Sequence, residues 1–282
     1  MWDDLNGGLV FWVPGSVFVS TTIGRVQRGV DLVPIGGTVY VESGVHGNFS
    51  AGGKLLTVAF QDGSSISQQA DSLDPTRRSL VVMGTYGNDT IKFAPGDDRS
   101  VRVEMNTYPT GTFLPTGRLM AYGLDGSDNI SVSADIHLSA WLQGGYSGNN
   151  RLQAGGGNDV LIGGSGRDLL IGDAGADHLI GGSGDDILIG GYFAYAGSNG
   201  VDETALAAIM AEWTSSHDYA TRVNNLVNGT GLTNGYALSP GGSVYDDGYA
   251  NVLDGGSGRD LFFASLLDQI NRRKSNESLF AL

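Results

Sequence analysis

A nine-residue unit is repeated without interruption from Gly145 to Ile189, and its period restricts the folds open to this chain. The third of its five copies reads GGSGRDLLI, from Gly163 to Ile171. Every copy has glycine at the fourth position, Asp or Asn at the sixth and Leu at the eighth. A flexible glycine-rich linker has no reason to keep three positions in phase over five copies. The period therefore predicts an ordered, repetitive structure.

Each position of the unit has a physical role. Glycine at the first, second and fourth positions allows turn conformations and leaves main-chain carbonyl groups free. Positions seven to nine form a short strand whose central Leu points inward. One unit is then half a coil, and a full coil takes about 18 residues. This spacing predicts Asp159 beside Asp177 on one edge, and Asn150 beside Asp168 and Asp186 on the other.

The sixth positions add side-chain oxygen to turns that are already rich in carbonyl oxygen, and such hard ligands favour calcium among the common metals. Two outlying copies extend the pattern. GGSGRDLFF begins at Gly255, and GLDGSDNIS begins at Gly123 but lacks the second glycine. GTYGNDTIK from Gly84 is more degenerate, and we interpret its Asp89 as a turn residue. The predicted metal ligands are the side chains of Asn150, Asp159, Asp168, Asp177, Asp186, Asp260 and Asp128, with the turn glycines Gly155, Gly157, Gly164, Gly166, Gly182 and Gly184.

These nonapeptides resemble the RTX, or hemolysin-type, calcium-binding repeats. The resemblance implies a β-roll, Ca2+ as the cofactor, and type I secretion to the outside or the surface of a bacterial cell. The stretch from the repeats through AEWTSSHDYATRVNNL to GGSGRDLFFAS also resembles the C-terminal region of large bacterial extracellular proteins. That resemblance names no activity.

Residues 1–144 read as short strands separated by Gly, Asn, Asp and Pro turns. GGTVYVESGVHGNFS followed by KLLTVAF resembles the rungs of right-handed parallel β-helix proteins. The predicted fold class is therefore all-β, with a parallel β-helix over residues 1–144 that runs into an RTX calcium β-roll over residues 145–191. A β-sandwich is the alternative for residues 1–144.

Residues 192–250 have a different composition and predict a helical insert. One helix is expected from Asp202, its cap, to Trp213, and a second from Ser215 or Ser216 to Val227. Their apolar faces need a partner, and the outward positions of the roll are unusually apolar. We expect the insert to pack on one of these faces, and residues 251–282, with Phe262 and Phe263, to close the stack. The outward residues are Val160, Ile162 and Ile180 on one sheet, and Leu169, Ile171, Ile187 and Ile189 on the other.

Charge and composition restrict the partners. The formal net charge of −14 disfavours nucleic acid and anionic membrane surfaces, and makes calcium the natural counterion. The chain has no cysteine, so disulfide bonds cannot stabilise it. No apolar segment is long enough to span a bilayer, so no membrane span is expected.

Catalytic motifs are missing from the sequence. Neither HExxH nor GxSxG occurs, and the four histidines are scattered, so no catalytic residue is predicted. We expect a secreted, calcium-binding structural or adhesive module whose roll folds on calcium and which self-assembles into a surface layer or filament. Copies of itself or cell-surface glycans are the expected partners. The alternative is a carbohydrate-active β-helix enzyme, a polysaccharide lyase or epimerase, with an RTX tail. The missing motifs favour the non-enzymatic hypothesis.

Overall fold

The computed structural model describes residues 2–3, 9–13, 15–19, 26–42, 48–106, 108, 110–196 and 202–282. The chain forms two compact units, residues 1–124 and residues 125–282. Within the described ranges, no helix is both long enough and apolar enough to cross a membrane.

The first unit is built from short strands and one helix. Its strands pair in two sheets, with the orders β1-β2-β3-β4-β6-β7-β8-β12 and β9-β10-β11-β5. The elements are β1 (Trp2–Asp3), β2 (Leu9–Val13), β3 (Ser16–Val19), α1 (Val26–Leu32), β4 (Thr38–Val41), β5 (Phe49–Gly52), β6 (Leu56–Phe60), β7 (Ser65–Ala70), β8 (Arg78–Met83), β9 (Thr90–Pro95), β10 (Val101–Met105), β11 (Gly111–Phe113) and β12 (Leu119–Leu124).

Parallel pairs in the first unit alternate with antiparallel hairpins. Strands β3, β4 and β6 pair in parallel, as do β8 with β12 and β11 with β5. The pairs of β1 with β2, β2 with β3, β6 with β7, β7 with β8, β9 with β10 and β10 with β11 are antiparallel. The unit thus has parallel rungs interrupted by hairpins, which a regular β-helix does not contain.

Local sequence patterns do not indicate β7 and α1, for identifiable reasons. Strand β7 is polar, yet its Gln68 is buried because the Nε2 atom donates to the carbonyl groups of Gly52 and Lys54, both at 2.9 Å. Helix α1 is short and contains Gly29, where a Cβ atom would lie 2.6 Å from Val39 Cγ1. Close packing of this helix against β4 therefore requires a residue with low helix propensity.

The second unit is a stack of short parallel strands with a helical insertion. One sheet has the order β14-β16-β18-β22-β24, and the other has the order β13-β15-β17-β19-β23-β25. The elements are β13 (Asn129–Val132), β14 (Ala140–Gly145), β15 (Arg151–Gln153), β16 (Val160–Ser165), β17 (Leu169–Ile171), β18 (His178–Ser183), β19 (Ile187–Ile189), β20 (Tyr192–Phe193), α2 (Glu203–Trp213), α3 (Tyr219–Asn228), β21 (Val244–Tyr245), β22 (Val252–Ser257), β23 (Leu261–Ala264), β24 (Gln269–Asn271) and β25 (Ser278–Ala281).

The strand register follows the repeat. Leu161 pairs with Leu179 and Leu152 pairs with Leu170, so partners lie one full coil apart. The eighth-position side chains are all fully buried between the two sheets, and this column is the core of the roll: Leu152, Leu161, Leu170, Leu179, Leu188 and Phe262. The all-β class with parallel β-helix and β-roll strands is therefore confirmed.

The insertion between β19 and β22 covers one outer face of the roll. Helix α2 begins after Asp202, whose side chain accepts hydrogen bonds from the N–H groups of Thr204 and Ala205. The second helix is capped by Asp218, not by Ser215 or Ser216, because its carboxylate accepts from Thr221 N–H at 2.8 Å. The helices bury the outward residues of one sheet in a shared apolar cluster: Leu169, Ile171, Ile187, Ile189, Leu261 and Phe263 from the roll, with Leu206, Ile209, Trp213, Tyr219, Val223 and Leu226 from the helices.

The opposite face keeps its outward side chains partly exposed, among them Val160, Ile162 and Ile180. Within residues 251–282 the stack continues beyond Phe262 and Phe263. Strand β24 pairs with β22 and β25 pairs with β23, so one more coil follows the last glycine turn.

Trp213 holds the insert to the roll and provides a test of this packing. The side chain is fully buried, its Nε1 donates to Asp185 O at 2.8 Å, and the Arg222 guanidinium lies 4.5 Å from its ring centroid. We expect Trp213→Ala to lower the free energy of unfolding by about 4 kcal/mol, since a large cavity opens. The matched change Trp141→Ala, at a partly exposed position on the uncovered face, should cost about 1 kcal/mol. Urea unfolding in saturating calcium measures both, and equal losses would contradict the packing.

Candidate metal sites

The sixth-position side chains form two ladders along the edges of the roll. On the first edge the Oδ1 atoms of Asn150, Asp168, Asp186 and Asp260 each accept from a main-chain N–H one coil earlier. The donors are Asp128 at 2.9 Å, Asn150 at 2.6 Å, Asp168 at 2.9 Å and Asp186 at 2.9 Å, in that order. Each of these hydrogen bonds, which form the rungs of the ladder, therefore holds two successive turns at a fixed separation.

The second edge is built in the same way. Asp159 Oδ1 accepts from Ala140 N–H at 2.5 Å, and Asp177 Oδ1 accepts from Asp159 N–H at 2.8 Å. Asn251 continues the ladder by accepting from Asp177 N–H at 2.8 Å, and Asp268 accepts from Asn251 N–H at 2.8 Å. The two edges contain the pairs that the 18-residue spacing predicts.

The second carboxylate oxygen of four aspartates is left without a proton donor. The Oδ2 atoms of Asp168, Asp177, Asp186 and Asp260 are buried and accept no hydrogen bond among the described residues. Each points at the first glycine of its own repeat: a Cβ at Gly172, for example, would lie 2.7 Å from Asp177 Oδ2. A buried anionic oxygen without a donor is costly unless a cation neutralises it.

Glycine at the second and fourth positions lets the turns stack closely. Gly164 and Gly166 have φ of 115° and 124°, conformations that side chains rarely adopt. A Cβ at either position would overlap a carbonyl oxygen one coil earlier, that of Gly145 or Gly148. Columns of carbonyl oxygens therefore run along the edge beside the carboxylates.

Burial raises the pKa of these carboxyl groups far above the ordinary aspartate value. The pKa of Asp168 rises to about 7, and the pKa values of Asp159 and Asp260 rise to about 6, chiefly through desolvation. For Asp177 and Asp186, burial and then the like charge of the neighbouring rung raise the pKa to about 8 and about 9. A nearby cation would reverse these shifts, because it favours the charged form.

The donor chemistry fits calcium. In the part of the chain that the structure describes, no three His, Cys, Asp or Glu side chains converge to hold a metal. A metal on these edges must therefore take most of its ligands from main-chain carbonyl oxygens and the rest from single carboxylates. An all-oxygen set of this kind suits Ca2+ rather than zinc, which prefers nitrogen and sulfur.

Several residues of the two edges were not predicted from the sequence. Asn251 and Asp268 continue the second ladder, and both stand two residues before an inward apolar residue, Leu253 and Ile270, as the repeat requires. That spacing could have identified both residues from the sequence, but the insertion interrupts the nine-residue period that precedes them. Lys274 lies at the end of the first edge, where its Nζ donates to Gly256 O at 2.9 Å and Gly258 O at 3.0 Å. No motif indicates that contact.

Asp89 lies in the first unit and has a complete set of partners. Its Oδ2 accepts from Thr85 N–H and its Oδ1 from the Asn106 amide, both at 2.6 Å. This residue acts as a turn acceptor, in contrast to the aspartates of the roll.

Stacked glycine turns with buried carboxylates define the second unit as a β-roll of the calcium-binding class. The family model of the RTX calcium-binding nonapeptide repeat (4 copies) matches residues 144–179, 162–191 and 243–266. These segments therefore carry RTX calcium-binding nonapeptide repeats, and RTX nonapeptide repeats bind calcium. No curated protein and no solved structure matches the chain.

Close stacking of the turns can be tested with glycine substitutions. We expect Gly166→Ala to lower the free energy of unfolding by roughly 3 kcal/mol or more, because the new Cβ overlaps the Gly148 carbonyl and strains the backbone. Gly248→Ala is the matched control: Gly248 also has positive φ, 80°, but a Cβ there meets no atom of the described residues within 4 Å. It should cost about 1 kcal/mol. Calorimetry in excess calcium measures both, and equal losses would contradict the stacking.

The raised pKa values predict opposite pH dependences with and without metal. Without calcium, the folded roll binds more protons than the unfolded chain above about pH 4, so its free energy of unfolding should fall as pH rises through 6 to 9. With saturating calcium the carboxylates are charged in the folded state, and stability should not fall over this range. Urea unfolding from pH 5.5 to 8.5, with calcium or chelator, measures both slopes. Asp168→Asn should weaken the slope in chelator, and identical slopes in both solutions would refute the argument.

Proposed function

We propose that this chain is a secreted, calcium-dependent structural module whose roll becomes ordered when calcium binds at the turns. The single observation that carries the proposal is the row of buried carboxylate oxygens without proton donors, each facing a glycine turn. Calcium, when bound, would supply the positive charge that these carboxylates lack. A protein whose core carries its own unneutralised charge is poorly stable alone and depends on the metal for folding.

The proposed ligands are the predicted ones, now arranged by edge. The first edge offers Asp128, Asn150, Asp168 and Asp186, and it ends at Asp260, whose Oδ2 lies 3.9 Å from the Lys274 ammonium. The second edge offers Asp159 and Asp177. Carbonyl oxygens of Gly164, Gly166, Gly182 and Gly184 would complete the first edge, and those of Gly155 and Gly157 the second. Because Asp168 and Asp186 each support two successive turns, the loss of one rung should affect more than one site.

The stability that calcium binding adds to the folded roll follows from mass action. With free calcium at ten times a dissociation constant of order 10⁻⁴ M, each site adds about 1.4 kcal/mol to the stability of the folded state. Several sites stacked along two edges together offset the conformational entropy lost by a glycine-rich chain. At cytosolic calcium concentrations this contribution vanishes, and the repelling carboxylates disfavour the roll.

Folding that depends on the calcium concentration is compatible with secretion. RTX repeat proteins are typically secreted by the type I route, and we propose the same for this chain, with the bacterial cell surface or its surroundings as the destination. A roll that stays unfolded in low calcium can pass a narrow export channel and then fold outside. Calcium outside the cell thus acts as the signal for folding.

We also propose that the folded module serves a structural or adhesive role, with copies of itself or cell-surface glycans as partners. The support is the uncovered face of the roll, where apolar Val160, Ile162 and Ile180 are partly exposed while the equivalent residues of the other sheet are fully covered. Electron microscopy and sedimentation in calcium and in chelator, with Ile162→Lys as the variant, test self-association. Monomers in calcium for the unchanged protein would leave glycans as the partner, to be tested by binding to a glycan array.

Calcium-coupled folding is tested by titration of an aspartate variant. We expect Asp168→Asn to raise the calcium midpoint of folding, followed by circular dichroism, about tenfold or more, because a charged ligand is lost while the Oδ1 acceptor is kept. Asp89→Asn is the matched control, since Asp89 has its own partners in the first unit, and it should leave the midpoint nearly unchanged. A spectrum of the unchanged protein that does not respond to chelator would refute the proposed function.

A further inference from the structure

The C-terminal turn of the first edge differs from the glycine turns that precede it. The last glycine turn, Gly255 to Asp260, is followed by one more coil whose turn reads NRRKSNE from Asn271 to Glu277. This turn has no glycine, so it cannot add another pair of closely stacked carbonyl groups. Lys274 lies in its middle instead.

The Lys274 ammonium group contacts four oxygen atoms of the edge. Its Nζ donates to Gly256 O at 2.9 Å, to Gly258 O at 3.0 Å and to Glu277 Oε1 at 2.6 Å, and it lies 3.9 Å from Asp260 Oδ2. Glu277 is buried, and its Oε2 accepts from the Lys274 main-chain N–H at 2.6 Å, so one carboxylate holds both the main chain and the ammonium group of Lys274.

These oxygens are the ones that earlier turns offer to calcium. Gly256 and Gly258 are the second and fourth glycines of their repeat, and Asp260 is its sixth residue. The strand register pairs Gly256 with Gly182 one coil earlier, and Gly182 with Gly164 before that. Each of those turns presents the same two carbonyl groups and one carboxylate, without a lysine.

We infer that Lys274 is a tethered cation that takes the place of calcium at the C-terminal turn of the first edge. The inference rests on the proposed function, because it assumes that the equivalent oxygens of earlier turns bind calcium. The ammonium places a positive charge between the carboxylates of Asp260 and Glu277, and it donates to the last two glycine carbonyl oxygens, so the ladder ends without a metal. The roll then binds one calcium fewer than its glycine turns would suggest.

Removal of the lysine should open a calcium site. Lys274→Ala leaves two carbonyl oxygens and the carboxylates of Asp260 and Glu277 facing one space, an all-oxygen set whose two negative charges match Ca2+. We expect this variant to bind one more calcium ion per chain than the unchanged protein, measured by equilibrium dialysis and titration calorimetry. Lys92→Ala, in the first unit, makes the same charge change and should bind the unchanged number. Lys274→Ala combined with Glu277→Gln should lose the gain.

The outcomes separate the two ideas. If the unchanged protein binds no calcium, the proposed function fails. If it binds calcium and folded Lys274→Ala binds the same number, the inference about Lys274 fails while the proposed function stands.

A second measurement uses the unchanged protein and therefore tests the inference even if Lys274→Ala does not fold. The chain has three lysines, Lys54, Lys92 and Lys274, which mass spectrometry can follow separately during acetylation. If the ammonium fills the last site, Lys274 in the calcium-loaded protein should react at least tenfold more slowly than in urea. Equal rates in calcium and urea would mean that calcium displaces the ammonium, and would overturn the inference.

Discussion

The hydrogen bond from a main-chain N–H to the aspartate Oδ1 atom one coil later is the interaction on which the roll depends. It fixes the distance between successive turns, and it uses one oxygen of each carboxylate, so the second oxygen is left to face the glycine carbonyls. Glycine at the fourth position, and at the second position of the turns that contain Gly164, Gly182 and Gly256, is then required by sterics, since a Cβ atom there would overlap a carbonyl group of the preceding coil. The same contact that orders the turns therefore creates the buried charge that a cation has to neutralise.

The two faces of the roll have different environments, although the repeat gives them similar residues. Helices α2 and α3 bury Leu169, Ile187 and their neighbours completely, and Trp213 anchors them to the turn that contains Asp185. Arg222, itself buried, joins this anchor by an ion pair with Asp185. Asp185 is the fifth residue of its repeat, so the insert is attached directly beside the candidate metal ligand Asp186. Ordering of the turn and docking of the helices are thereby coupled.

The sequence was most informative where one residue type recurs at a fixed spacing. The position of Asp168 between Asn150 and Asp186 followed from the 18-residue coil, and the cap at Asp202 followed from its place before an apolar face. Prediction failed where a residue is held by distant main chain. Gln68 lies in a polar strand and is buried because it donates to two distant carbonyl groups, which no local pattern indicates. Asn251 continues the second ladder, but an insertion separates it from the repeats. Lys274 has an ordinary surface composition around it, and its contacts with Gly256 and Gly258 arise only from the stacking of a coil without glycine.

The insertion also lengthens one of the loops that the hydrogen bonds of the first edge close. Asp168 and Asp186 are separated by 18 residues, whereas Asp186 and Asp260, which form the next rung, are separated by 74. Closing the longer loop as a flexible chain costs about 1.3 kcal/mol more than closing one coil. Helices α2 and α3 pack on Ile187 and Ile189, so the part of the insertion that remains a free loop is shorter than 74 residues. The last coil is thus joined to the roll by the helices as well as by the ladder, because Leu261 and Phe263 lie in the same apolar cluster as α2 and α3.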